Sequence, residues 1–336
     1  MSTNTPVNIK DHLQKVINGS RLGKAEAKSV LTSIGEGRVN EFQTASLLTC
    51  YQMRPITGEE LSGFREAMID LALNIDISDM EAIDMCGTGG DGKDTFNIST
   101  TASFVVAGAG YKVAKHGNKA VSSNCGSSNV LEFLGYKMTN EADKLRSTLD
   151  KGNFCYMHAP LFHPAMRFVG AIRRGLGIKT FFNLLGPLLN PARPGYQLTG
   201  VFDKSILPLY KAVFEDMGIQ YAIVHSQDGY DEISLTSPFE LRSNQYDGLV
   251  EPASLGYSLV DSAALKGGVT VEESAKMLTN ILAGAGTSEQ EAVVCANAAY
   301  AIKCFKPEQD IADCLSEAKE SIDSGKALAM LKNVTA

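Results

Sequence analysis

Asp84-Met85-Cys86-Gly87-Thr88-Gly89-Gly90-Asp91-Gly92, followed closely by Thr95-Phe96-Asn97-Ile98-Ser99-Thr100-Thr101, decides how this chain is read. The short apolar run 82–85 reads as a β-strand, the glycines as a turn, and the segment from residue 99 as the start of a helix. Glycine lets backbone approach a phosphate without Cβ obstruction, and the free amides of a helix N-terminus add donors with favourable dipole sign. A phosphorylated ligand is therefore expected here. A glycine-rich turn without chemical role is the plainer alternative, but the aspartates and hydroxyl residues crowded into the stretch fit it poorly. The spacing is neither a Walker loop, which ends in Gly-Lys-Ser/Thr, nor the dinucleotide-binding GxGxxG.

The surrounding chain has the same rhythm. Strands are predicted at 82–85, 111–114, 154–157, 197–202 and 221–225, with helices near 99–109, 127–135, 141–151, 164–176 and 204–217. That alternation predicts a mostly parallel sheet flanked by helices. Residues 9–73 read instead as four short helices. The fourth opens on Thr57-Gly58-Glu59-Glu60, a capping box in which hydroxyl and carboxylate each satisfy a free amide. Residues 271–334 are again helical and are expected to cover the sheet. The fold class is thus α/β: a small all-helical N-terminal domain, residues 1–78, and a larger α/β domain, residues 79–336.

The length of 336 residues has room for this division. The 31 basic against 38 acidic residues leave a net charge of −7, which argues against a nucleic-acid partner. Seven scattered cysteines without a CxxC pair suggest neither disulfides nor a zinc site and point to a reducing cytoplasm. The N-terminus lacks the apolar core of a signal peptide, and no apolar run reaches the roughly 20 residues of a membrane span.

Three further clusters carry chemistry. Lys115-His116-Gly117-Asn118-Lys119, continuing to Ser128, packs two lysines, a histidine, two asparagines and four serines after a predicted strand, where α/β ligand sites gather. A solvated polar turn is the alternative. Asp228-Gly229-Tyr230-Asp231-Glu232 puts adjacent carboxylates after the strand at 221–225, hard oxygen donors of the kind that hold Mg²⁺ against substrate phosphates. A plain acidic turn remains open for this motif alone. His158 to Arg167, with Arg173-Arg174 and the segment 181–191, offers guanidinium groups for a carboxylate and aromatic or proline-rich walls for a flat ring. Each histidine taken alone reads equally as a core group or a helix cap.

GTGGD (87–91), NIST (97–100), KHGN (115–118), APLFHPAM (159–166), NLLGPLLNP (183–191) and DGYDE (228–232) occur in the order found in anthranilate phosphoribosyltransferases, and the chain resembles that family over nearly its whole length. The resemblance implies a nucleoside phosphorylase/phosphoribosyltransferase-like fold in which helices from about 165–185 join the small domain, and a homodimer formed through that domain. It implies transfer of the phosphoribosyl group of phosphoribosyl pyrophosphate (PRPP) to anthranilate in tryptophan biosynthesis, with two Mg²⁺ ions. PRPP would be held by Gly87, Gly90, Asp91, Thr95, Asn97, Ile98, Ser99, Thr100, Lys115, His116, Gly117, Asn118, Lys119, Ala120, Val121, Ser122, Ser123 and Ser127. Anthranilate would meet Gly87, Asn118, His163 and Arg173, with His116 also lining the acceptor channel, and Ser99, Asp231 and Glu232 would hold the metal. No nucleophile or base is assigned; Cys86 and Cys125 are read as bystanders.

Some positions depart from the family pattern. Lys119 stands where arginine is usual, Asn124-Cys125 and Ser128-Asn129 replace more typical residues, and Gly175 sits where a polar residue is frequent. Lys119 keeps charge but not bidentate geometry, so affinity is in question more than reaction type. A pyrimidine-nucleoside phosphorylase and a non-catalytic nucleic-acid-binding relative of the same fold are the alternatives.

Overall fold

The computed structural model describes residues 8–119 and 125–336. The front end is α1 (Lys10–Ile17), α2 (Lys24–Gly35), α3 (Glu41–Met53) and α4 (Gly58–Asp70). Then follow β1 (Ala82–Met85), α5 (Ile98–Gly108), β2 (Lys112–Gly117), α6 (Ser127–Phe133), α7 (Ala142–Gly152), β3 (Phe154–His158), α8 (Arg167–Leu176), α9 (Phe182–Leu185) and β4 (Tyr196–Gly200). The chain continues through α10 (Leu207–Met217), β5 (Gln220–Ser226), β6 (Phe239–Ser243), β7 (Asp247–Val250), α11 (Val271–Leu282), α12 (Ser288–Phe305), α13 (Ile311–Asp323) and α14 (Lys326–Thr335).

The seven strands lie in the order β3-β2-β1-β4-β5-β6-β7, the first five parallel and the last two antiparallel. The β6–β7 hairpin is absent from the sequence-based expectation. Its strands are short and carry Glu240, Arg242 and Asp247, which pair with one another at the sheet edge and blur the apolar alternation. Strand β2 runs three residues further than predicted, and β4 stops at Gly200, two residues early. Because order reverses between β1 and β4, a crevice opens beyond their C-terminal ends, the place where parallel sheets bind ligands.

Three apolar cores flank the sheet: one beside β2 and β3 holds Ala114, Cys155 and Met157 with Leu145 and Leu149 of α7, and the other two divide the faces of β5. Along β5, Ala222 and Val224 join the core built with α5, α11 and α12, while Tyr221 and Ile223 join the one built with α10. The core built with α10 runs without a break into the helical front end and takes in Val169, Phe181 and Leu185 from α8, α9 and the turn between them. Phe64 of α4 stacks on Phe181 at 4.4 Å, and Tyr51 meets the same ring edge-on at 5.3 Å. The acceptor-side segment is thus fixed to the helical front end by aromatic packing.

The capping box at Thr57 forms as expected, with the Thr57 hydroxyl accepting from the Glu60 amide and the Glu60 carboxylate from the Thr57 amide. The same carboxylate, fully buried, also accepts from the Leu22 amide at 2.9 Å, the Tyr51 hydroxyl at 3.0 Å and the Arg54 guanidinium. One side chain therefore ties the start of α2, the end of α3 and the start of α4. Arg54→Ala leaves that carboxylate without its counter-charge and is expected to cost about 3–5 kcal/mol, read as a lower urea midpoint; an unchanged midpoint would show that the neutral donors suffice.

Candidate active site

The glycine loop, 86–92, springs from β1 into the crevice and is stitched to β4. The Thr88 amide donates to the Gly200 carbonyl at 2.9 Å, and the Thr88 hydroxyl accepts from the Phe202 amide at 3.1 Å. Gly89, Gly90 and Gly92 adopt positive φ, which side-chain-bearing residues rarely do. Gly87 and Gly200 are glycine for another reason. A Cβ at Gly87 would lie 2.6 Å from Asp231 Oδ2, and one at Gly200 would lie 1.6 Å from the Asp231 carbonyl. The acidic turn after β5 is pressed into the space that the missing side chains leave.

There Asp231 is buried, and its Oδ2 accepts the Gly89 amide at 2.6 Å. Burial, then Glu232 and then Asp91, push its carboxyl well above the usual carboxylate range. Burial likewise pushes Glu232 up to about 7, with the Lys115 ammonium and the Ser99 amide and hydroxyl pulling the other way. Lys115 is buried beneath the loop, its ammonium donating to the Met85 carbonyl and, at 3.3 Å, to Ser99 Oγ. Asp91 accepts the Lys93 amide on Oδ1, while its buried Oδ2 has no partner among the described residues.

The sequence-predicted metal set, Ser99, Asp231 and Glu232, is thereby gathered at one point. These are hard oxygens, and their surplus of negative charge and the orphaned Asp91 oxygen beside them suit a divalent cation. Among the described residues no three Asp, Glu, His or Cys side chains form a metal-holding cluster, so phosphate oxygens and water would have to complete the shell.

The remaining predicted donor-side residues divide. Asn97 precedes α5 and leaves its N-terminus without a side-chain cap, while its amide group donates to the Cys125 carbonyl at 3.1 Å and links the two loops. Thr95 makes an antiparallel bridge with Lys266. Ile98 and Thr100 are buried, so their side chains belong to the core, and the Ile98 amide is taken by the Phe96 carbonyl. Gly117 and Ser127 meet at Tyr156, whose hydroxyl lies 2.8 Å from Ser127 Oγ. The Asn118 side chain accepts the Lys119 amide at 2.8 Å. Lys119 is not brought to the loop; its ammonium pairs with Glu132 at 3.1 Å on the exposed side of α6. Ala120, Val121, Ser122 and Ser123, with Asn124, lie outside the described residues.

On the acceptor side, His116 and His163 are both buried and meet edge to face at 5.2 Å. Burial drives them down to about 3 and about 4, so both are neutral at pH 7. His116 Nε2 and both His163 nitrogens lack a hydrogen-bond partner among the described residues. Arg173, half-buried on α8, is lowered by burial and has no carboxylate partner among the described residues; its guanidinium rests on the Phe182 ring at 5.3 Å. Cys86 and Cys125 are pushed up by burial, Cys86 to about 12, and so are held as inert thiols.

Three residues in the site escaped the sequence reading of roles. Asp84, raised to about 6 by burial, accepts the His116 amide at 3.1 Å and so sets the start of the KHGN loop. Lys179, from the turn between α8 and α9, donates to the Gly90 carbonyl at 3.3 Å and lies over Phe202. Asn297 of α12 is buried and grips Ile233 twice, accepting its amide at 3.2 Å and donating to its carbonyl at 2.9 Å. Asp84 stood in a stretch already singled out, Lys179 fell in the gap between Arg174 and the segment 181–191, and nothing local marks Asn297.

Family models, relatives and solved structures match this chain over most of its length. Residues 10–72 match the family described as "Glycosyl transferase family, helical bundle domain", and residues 79–328 match "Glycosyl transferase family, a/b domain". An anthranilate phosphoribosyltransferase of Cytophaga hutchinsonii is 50% identical over 324 residues, covering 96% of this chain and 99% of that protein. The crystal structure of anthranilate phosphoribosyltransferase from Thermus thermophilus superposes with a TM-score of 0.92 at 32% identity, covering 97% of this chain and 98% of that one. The Saccharomyces cerevisiae enzyme in complex with PRPP and Mg gives 0.88 at 26% identity over 97% of this chain and 96% of that one.

The Asn297 grip has a measurable consequence. Loosening an outer group that orients metal-holding side chains commonly costs 10–100-fold in metal affinity. Asn297→Ala should therefore raise the Mg²⁺ concentration needed for half-maximal thermal stabilisation in the presence of PRPP by about tenfold or more, and an unchanged Mg²⁺ requirement would remove Asn297 from the site.

Proposed function

The chain belongs to the anthranilate phosphoribosyltransferases, and from that premise we propose how its own residues divide the work of moving the phosphoribosyl group of PRPP to the amino group of anthranilate. The reaction yields N-(5-phosphoribosyl)anthranilate and pyrophosphate and belongs to tryptophan biosynthesis. One observation carries the division of labour: the Asp231–Glu232 pair and Ser99 meet under a glycine loop at the switch point of the sheet.

Departure of pyrophosphate leaves cationic character at the ribose C1 and negative charge on the leaving group. Mg²⁺, when bound by Ser99, Asp231 and Glu232, supplies positive charge to the pyrophosphate oxygens; two ions are proposed. The loop from Gly87 to Asp91, Thr95, the 97–100 segment, Lys115 and the loop to Ser127 position PRPP. Gly90 does so through backbone, and Ile98 and Thr100 through the chain they carry rather than their buried side chains. Lys119 serves only if it leaves Glu132, an exposed pairing worth little.

Anthranilate is an aromatic amine with a free lone pair, so it needs no strong base, and orientation dominates. Arg173 is proposed to receive the carboxylate: it is the half-buried cation on this side without a counter-ion among the described residues. Neutral His163, with His116, Asn118 and the Gly87 backbone, would line the channel. An imidazolium there would repel the cationic ribose, so burial serves the chemistry. The alternatives raised by the sequence, a nucleoside phosphorylase and a nucleic-acid-binding relative, are not supported by a relative that matches 96% of the chain as a transferase.

We propose residues 1–78, joined by about 165–185, as the small domain and 79–336 as the phosphoribosyl-binding domain. A homodimer through the small domain is proposed, with Phe42 and Met53, both exposed on α3 and eleven positions apart so that they share one face of that helix, as the apolar groups it would cover. A cytoplasmic location is proposed from the seven free cysteines; among the described residues no helix is long and apolar enough to cross a membrane.

Anthranilate fluorescence should fall when PRPP and Mg²⁺ are added to the protein; no change with folded protein would sink the assignment. Arg173→Ala should raise KM for anthranilate more than KM for PRPP, and the reverse would reject its acceptor role. Replacing Asp231 and Glu232 together by alanine should abolish Mg²⁺-dependent turnover, whereas retained turnover would place the metal elsewhere.

A further inference from the structure

A second cavity, of about 510 Å³, lies away from the crevice. It opens at the N-terminal end of β5, beside Gln220 and Ala222, whereas the acidic turn leaves the C-terminal end of the same seven-residue strand. At about 3.3 Å per residue the two sites are roughly 20 Å apart along the strand. The walls come from the β5–β6–β7 edge and the last turns of α12. Ala222, Leu241, Val250, Leu255 and Ile311 make them apolar, and Tyr246 and Tyr300 add aromatic rings.

The charged side chains of the lining are Lys303, Glu251 and Asp310, set among neutral polar groups such as Asn244 and Gln245. Lys303 donates its ammonium to the Pro307 and Gln309 carbonyls. An ammonium has three donors, so one remains, and no carboxylate pairs with it among the described residues. Glu251 and Asp310 also line the cavity; both are exposed and neither forms an ion pair among the described residues. Asp310 begins α13 without using its side chain as a cap. A cation with a donor to spare and two carboxylates outside any ion pair, around a largely apolar interior of this size, match a small molecule with an apolar, ring-bearing body that carries both charges.

We propose that this cavity binds a free aromatic α-amino acid, with its carboxylate on Lys303, its ammonium toward Glu251 or Asp310, and its ring against Tyr300 and Leu255. L-Tryptophan is the probe, a choice that rests on the transferase reading because that reaction leads toward this amino acid. Its binding is directly legible, since the chain contains no Trp and indole emission reports the ligand alone.

The test is a fluorescence-anisotropy titration of L-tryptophan with the full chain, PRPP absent, alongside transferase activity of the same preparation. Saturable binding is expected, weakened about tenfold or more by Lys303→Met and by Ser254→Phe, which narrows the cavity from an exposed position. Both variants should retain transferase activity, which also shows that they fold. Indole-3-propionate and tryptamine, each lacking one charge, should bind about tenfold more weakly. No saturable binding, binding indifferent to both variants, or equal binding of indole-3-propionate overturns the proposal. So does loss of binding in Arg173→Ala, which would put the ligand in the acceptor channel. Failure of anthranilate transfer in the same preparation would instead count against the transferase reading, since binding is read without it.

Discussion

Two adjacent carboxylates, Asp231 and Glu232, sit where the chain leaves β5, and most of the site exists to accommodate them. They are withdrawn from water with Asp91 close by, so that Glu232 and Asp91 both raise the proton affinity of Asp231, and Asp91 raises that of Glu232. Such a cluster is tolerable only with donors and cations around it. The Gly89 amide, the N-terminus of α5 at Ser99 and the Lys115 ammonium supply part of that charge. The rest is left to a divalent cation carried with a polyphosphate. Space is the other half of the constraint, because the Asp231 carboxylate lies so close to Gly87, and the Asp231 backbone so close to Gly200, that neither position has room for a methyl group.

The two substrates then fall to different parts of one packed body. PRPP belongs to the loops after β1 and β2. The proposed anthranilate contact, Arg173, rides on α8, which shares its core with α2 and α3 through Val169, while Phe181, in the turn that follows α8, stacks on Phe64 of α4. Lys179 crosses from that segment to the Gly90 carbonyl, so the acceptor side touches the donor loop directly. The Glu60 network that holds α2, α3 and α4 together therefore bears indirectly on how the acceptor is presented.

What could be read from the sequence was what is written locally. Glycines beside aspartates at a strand end, a capping box at Thr57 and the parallel-sheet rhythm are short-range patterns, and each appears where it was expected. The family resemblance rests on motifs of the same kind. The residues missed act across distance. Asn297 reaches Ile233 over 64 positions, Lys179 reaches Gly90 over 89, and Asp84 meets the His116 amide over 32. The β6–β7 hairpin was hidden because its pairing side chains are charged. Lys119 looked like a phosphate ligand by neighbourhood but turns toward Glu132. The −7 charge, which argued against nucleic acid, has a local counterpart in this acidic turn.

The central claim is that the Asp231–Glu232 pair is held proton-hungry so that a cation arriving with PRPP can replace the proton. Calorimetric titration of Mg²⁺ into the PRPP-saturated protein tests it, compared about one pH unit below and above the Glu232 pKa of about 7. Mg²⁺ should bind more tightly at the higher pH, with a dependence steeper than that of Mg²⁺ binding to PRPP alone, and the excess should vanish in Glu232→Gln. The same pH dependence in the wild type, in Glu232→Gln and in free PRPP would contradict it.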